Sequence, residues 1–230
     1  MTERRELTMT TNLNQYFDRL LARHPRQQAV HQQTAFEMPS ARPLCVVFCL
    51  DKSGSMADDD IQPNRFEAAI RAAEAYSAAR RQMGAPDLVA AVVFDDAGTI
   101  ISRLIPIQDA TRCVIAPLRR VDTGGGTDIA SGLVDAEACL SASPSTHDRV
   151  LVVLSDGHGG EPYQVAHRIK RNGTIINCIG VGRTPCDVDE DCLKLVCSKV
   201  GGALRYRFIT NATDLTAHFE SLATGLSRVR

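Results

Sequence analysis

The 230-residue chain has no charge excess of either sign: its formal net charge is −1 and its isoelectric point is near 6.6. That balance removes the usual electrostatic case for nucleic acid or an anionic membrane as the main partner. No run approaches the roughly 20 apolar residues that a membrane helix needs. The first residues, Met1-Thr2-Glu3-Arg4-Arg5-Glu6, have no apolar segment behind them. This predicts no secretory signal and a cytoplasmic location. The eight cysteines form no short-spaced disulfide framework, and several sit inside apolar runs. They read as reduced, buried thiols. Two catalytic signatures are also missing. There is no Gly-x-Ser-x-Gly nucleophile elbow. The glycines at 124–126 lack the Gly-Lys-Ser/Thr ending of a phosphate loop.

What is present is an ordinary globular composition, 44% hydrophobic, in a length that suits one domain with a sizeable core. Residues 1–42 differ from the rest. Leu13, Phe17, Leu20 and Leu21 fall at helical spacing and predict a short amphipathic helix over 12–23. Pro25 then intervenes and 26–42 is polar. This stretch reads as an N-terminal arm, and 43–230 as the domain.

From residue 43 strands and helices alternate. Strands are expected at 44–50, 88–94, 99–104, 150–154, 174–181 and 204–209. The second and third are joined by a hairpin through Asp95-Asp96-Ala97-Gly98. Helices are expected at 64–83, 109–116 (ended by Pro117), 129–140, 162–171, 188–200 and 213–228. Asn64 and Glu67 resemble a capping box. Continuously apolar strands alternating with helices predict an α/β fold: a Rossmann-like, doubly wound, mostly parallel sheet with helices on both faces. The hairpin supplies one antiparallel edge strand.

In such sheets ligands bind beyond the carboxyl ends of the strands, where strand order reverses. Asp51 and Asp156 both stand at such an end, and the glycine loop 122–127 precedes a helix on the same edge. In Asp51-Lys52-Ser53-Gly54-Ser55, one carboxylate and two hydroxyls within five residues can converge on one hard cation. Each segment also has a bland explanation. The serines can cap a turn, and Asp156 can cap the helix after its strand.

Asp51-x-Ser53-x-Ser55, Thr127 in Gly124-Gly125-Gly126-Thr127-Asp128, and Asp156 in Leu154-Ser155-Asp156-Gly157 stand in an order that resembles the metal-ion-dependent adhesion site of von Willebrand factor A (vWA) domains. The resemblance covers about residues 43–228. It implies Mg²⁺ or Mn²⁺ held by Asp51, Ser53, Ser55, Thr127 and Asp156, with an Asp or Glu of a partner protein completing the coordination. With the expected cytoplasmic location, it implies an adaptor or regulator working beside AAA+ ATPases or kinase–phosphatase modules. The layout is similar to tellurite-resistance-associated vWA proteins.

Lys52 and His158 flank the site as candidate partner contacts, though each also reads as a solvated loop side chain. The run Asp58-Asp59-Asp60 reads as a solvated loop that can attract cations. The competing reading is a metal-dependent phosphatase or hydrolase using Asp51 and Asp156. Against it, the residue two positions after Asp51 is Ser53, where haloacid-dehalogenase-like enzymes place a carboxylate. Cys186, Cys192 and Cys197 fit zinc spacing poorly. Asn211-Ala212-Thr213 fits a glycosylation acceptor but reads as a turn and helix start.

Overall fold

The structure, a computed structural model, describes residues 42–156 and 159–225. The expected arm (Arg42 apart), its helix at 12–23, His158 and the last five residues lie outside the described residues.

The chain runs β1 (Leu44–Asp51), α1 (Arg65–Gln82), β2 (Leu88–Phe94), β3 (Gly98–Pro106), α2 (Ala116–Leu118), α3 (Ile129–Leu140), β4 (Asp148–Ser155), α4 (Tyr163–Arg171) and β5 (Ile175–Val181). It continues with α5 (Glu190–Val196), β6 (Lys199–Val200), β7 (Ala203–Leu204), β8 (Tyr206–Ile209) and α6 (Ala212–Gly225). Six strands form one sheet in the order β3-β2-β1-β4-β5-β8. All pair in parallel except β3, which returns antiparallel along β2 at one edge. This is the expected Rossmann-like α/β sheet.

Alternation along β1 divides the core into two layers, because successive side chains point to opposite faces. Leu44, Val46, Phe48 and Leu50 pack with α1 and α6. Cys45, Val47 and Cys49 pack with α3, α4 and α5. Phe48 meets Tyr76 of α1 edge-on, with centroids 5.5 Å apart, and lies 6.1 Å from Phe219 of α6. Asn64 caps α1 as expected, accepting from the Glu67 N–H at 2.7 Å. On the other layer Gly132 of α3 lies against Phe94, and a β-carbon there would stand 2.5 Å from the ring. Gly132→Val should therefore destabilise by about 1–3 kcal/mol through overpacking, read by urea unfolding.

Two expectations need correction. Pro117 does not end a helix at 116. Thr111–Ile115 is a π-helical turn, and α2 follows it with Pro117 in its first turn. Pro117 thus lies within a continuous helical run, where its missing N–H cannot bond back to the preceding turn. The helix expected over 188–200 stops at Val196, because Cys197 turns extended. Gly201 and Gly202, both at positive φ, then form a tight hairpin of β6 with β7. The hairpin takes Leu204 away from the strand expected at 204–209, leaving β8 to begin at Tyr206. Cys197 is thus not on a helix with Cys192. Cys186 is exposed while Cys192 and Cys197 are buried. Among the described residues no group of three or more His, Cys, Asp or Glu is placed to hold a metal.

From β1 the chain winds outward through β2 and β3, then returns to lay β4 on the other side of β1. The carboxyl ends of β1 and β4 therefore flank the point where strand order reverses.

Candidate functional site

Asp51 is the last residue of β1, and Asp156 directly follows β4. The residues after Asp51 leave the sheet as a 3₁₀ turn, Gly54–Ala57, which brings the Ser53 and Ser55 hydroxyls to 3.2 Å of each other. The Ser55 hydroxyl donates to Oδ2 of Asp156. The Ser53 N–H donates to Oδ1 of Asp51 at 2.8 Å, and the Ser155 hydroxyl donates to Oδ2 at 2.6 Å. Four of the five expected ligands, Asp51, Ser53, Ser55 and Asp156, therefore share one hydrogen-bonded cluster.

Thr127 reaches the same edge on the glycine loop. The Gly124 N–H donates to the Lys52 carbonyl at 2.8 Å, and the Gly54 N–H donates to the Gly125 carbonyl at 3.1 Å. The Asp128 N–H donates to the Asp95 carbonyl at 2.6 Å, and Asp128 caps α3. Gly159, beyond Asp156, packs directly on the Thr127 carbonyl, where a β-carbon would stand 1.8 Å from the oxygen. The three segments thus meet through their backbones.

The electrostatics favour a cation. Asp51 is fully buried and Asp156 is 2% exposed. Burial raises the Asp51 carboxyl from 3.8 to about 6, against the lowering effect of the Ser155 and Ser53 hydrogen bonds. The nearby Asp156 pushes it the same way. Asp156 lies 3.7 Å from Nη1 of Arg65, but that guanidinium already grips Asp60 at two points, 2.8 and 2.7 Å. The cluster thus joins two buried carboxylates through neutral hydroxyls. An all-oxygen donor set of this charge fits a hard divalent ion.

The raised carboxyl has a testable consequence. Metal-free protein holds the Asp51 proton more tightly folded than unfolded. The Asp51 contribution to stability therefore falls as pH rises between about 4 and 6, by about 3 kcal/mol in all, while the lowered Asp60, Asp95 and Asp187 contribute with the opposite sign. His218 is shifted down by burial and by Arg207, so it contributes with the opposite sign below its ordinary value of 6.5. Subtracting the profile of Asp51→Asn from that of wild type, both in EDTA, isolates the Asp51 contribution. A flat difference would contradict this account.

Two expectations about neighbours change. Lys52 does not face open solvent. Its side chain is 18% exposed and paired with Asp95, so it anchors the first segment to the β2–β3 hairpin. Asp60 is not simply a solvated member of an acidic run. Its side chain is 3% exposed and paired with Arg65, which holds its carboxyl below the usual range. Arg65 and Ser155 are the residues that sequence reasoning missed. The available signal for Arg65 was its place at the first position of a capped helix behind three aspartates.

Comparisons with known proteins bear on the family and the fold. A sequence model described as "von Willebrand factor type A domain" matches residues 46–158. The bovine calcium-activated chloride channel regulator 1 is 30% identical over 182 residues, which cover 78% of this chain and 19% of that protein. Human calcium-activated chloride channel regulator 4 is 30% identical over 81% of this chain and 19% of its own length. The chain thus spans less than a fifth of these curated relatives. Among solved structures, the vWF domain of the type V pili tip protein Mfa5 from Porphyromonas gingivalis superposes with a TM-score of 0.67 at 14% identity. That match covers 82% of this chain and 98% of that one. BatB from Bacteroides thetaiotaomicron gives 0.62 at 19%, over 78% and 97%. These likenesses carry the fold alone. With the sequence match over both strands that hold Asp51 and Asp156, they make the chain a bearer of a von Willebrand factor type A domain.

Proposed function

We propose that this domain binds a protein partner through a divalent ion, Mg²⁺ or Mn²⁺, held by Asp51, Ser53, Ser55, Thr127 and Asp156. The observation that carries the reading is the hydrogen-bonded cluster of Asp51, Ser53, Ser55 and Asp156 at the switch point. Two buried carboxylates, Asp51 and Asp156, belong to it, joined through the serine hydroxyls. When bound, the ion supplies an electrophilic centre whose remaining position accepts an Asp or Glu carboxylate of the partner. The chain's own residues orient the site. Ser155 and the Ser53 N–H fix the Asp51 carboxylate. Lys52 fixes the hairpin beneath the glycine loop.

vWA domains are typically protein-interaction modules. The pilus adhesin SpaC from Lactobacillus rhamnosus GG has a similar fold, which accords with binding. A cytoplasmic adaptor or regulatory role, beside an AAA+ ATPase or a kinase–phosphatase module, is the form of this reading that the sequence resemblance favours. The phosphatase alternative is less well supported. Both Asp51 oxygens already accept hydrogen bonds, and the side chain is fully buried, whereas a nucleophile must reach its substrate.

The test is capture of partners from native lysate in Mg²⁺, in EDTA, and with Asp51→Ala. The reading expects a protein retained only with Mg²⁺ and intact Asp51. A partner indifferent to both would overturn it.

A further inference from the structure

At the edge of the sheet opposite β3, away from the Asp51 site, stands β8. β8 pairs with β5 on one side only, and among the described residues no strand covers its outer edge. An open edge presents a row of unpaired N–H and C=O groups, a ready template for another strand. Edges are commonly protected by short length and by charge. β8 has both, with four residues and an exposed Arg207.

What sets this edge apart is the helix beside it. Asp214, Ala217, His218 and Ser221 recur at helical spacing on α6 and face the same groove as Arg207 and Thr210. The groove has a volume of about 410 Å³ and runs from the strand edge to the helix stripe. Its polar inventory is uneven. Asp214 is engaged with Asn211 in starting α6, at 2.8 Å. Among the described residues Arg207 has no carboxylate within 4 Å. His218 is held below its ordinary range by burial and Arg207, which leaves it neutral at pH 7. It can thus serve as a hydrogen-bonding group beside the Arg207 charge. The groove therefore offers backbone pairing, the Arg207 charge, the Asp214 carboxylate held at the start of α6, and the Ser221 and Thr210 hydroxyls.

We propose that the groove between β8 and α6 binds an extended peptide strand of a partner, with an acidic side chain directed to Arg207. Backbone pairing to β8 provides the affinity, and the charged contact provides the choice of sequence. This surface is independent of the Asp51 site and requires no metal.

The test uses the full chain and a fluorescein-labelled peptide, Thr-Val-Glu-Val-Thr, with two controls carrying lysine or proline at the centre. Fluorescence anisotropy is measured in EDTA and in Mg²⁺. The glutamate peptide is expected to bind equally in both and equally to Asp51→Ala. The lysine peptide should bind about tenfold more weakly, as should the glutamate peptide to Arg207→Glu. The proline peptide should lose binding, since proline cannot donate to the ladder. Amide exchange of residues 206–210 should slow in the complex. Absence of binding, equal binding of the lysine peptide, or binding without protection at β8 would overturn the proposal. So would a dimer in ultracentrifugation that Arg207→Glu dissolves, which would assign the edge to a second copy of the chain.

Discussion

Asp51→Asn is expected to raise the thermal midpoint of the domain in EDTA and to abolish its stabilisation by Mg²⁺. The reasoning starts from burial. Asp51 has no exposed surface, and its carboxyl is pushed up to about 6, so ionising it at pH 7 costs the metal-free fold about 3 kcal/mol. Asparagine fills the same space without the charge. Its oxygen can still accept the Ser53 N–H. The expected gain in EDTA is roughly 1–3 kcal/mol, or several degrees in a domain of this size. Wild type should recover more than this once the ion stands at a thousandfold its Kd, which adds about 4.1 kcal/mol. Thermal melts of both proteins, with EDTA and with millimolar Mg²⁺, check the crossover. A variant less stable than wild type in EDTA, with its Mg²⁺ response intact, would make Asp51 an ordinary structural residue.

The largest purely structural effect is expected at Arg80 and Asp87. Both are nearly fully buried, and Nε of Arg80 donates to Asp87 at 2.6 Å. The pair holds four elements together. Asp87 accepts from the Leu44 N–H at the start of β1, at 2.8 Å, and its carbonyl accepts from the Ile107 N–H beyond β3, at 2.9 Å. Arg80, at the end of α1, donates to the Ala223 carbonyl of α6 at 3.0 Å. Removing one partner leaves the other charge buried and unpaired. Asp87→Ala or Arg80→Met should each cost about 3–5 kcal/mol in urea unfolding. Replacing both together with Arg80→Met and Asp87→Leu should cost clearly less than the sum, because no buried charge remains. Additive losses would contradict the pairing. The Asp51 site lies at the opposite ends of the strands, so metal affinity of the folded fraction should not change.

The sheet was legible because its strands are covered on both faces. That makes 44–50 and 150–154 continuous apolar runs rather than ambiguous alternations. The placement of Asp51 and Asp156 was legible for the same reason, since both punctuate the ends of those runs. What escaped the sequence was tertiary pairing. Arg65 meets Asp60 five residues away, and Lys52 meets Asp95 across 43 residues of chain. Neither follows from spacing, and both turn side chains that read as solvated into anchors. Local signals were also misweighted around Gly201-Gly202. The helix expected over 188–200 yields at Val196 to a hairpin that the two adjacent glycines permit. At Pro117 the reverse happened, since proline opens a helical turn as readily as it closes one.

The most direct measurement of the central claim is a Mn²⁺ titration followed by electron paramagnetic resonance, in which bound ion leaves the free-ion signal. The account predicts one ion per chain at pH 7.5, released by excess Mg²⁺ and lost in Asp51→Asn and in Asp156→Asn. It also predicts weakening as the pH falls below about 6, where the Asp51 proton competes with the ion. No loss of free Mn²⁺ signal with wild-type protein at millimolar ion, or equal binding by the two variants, would contradict it.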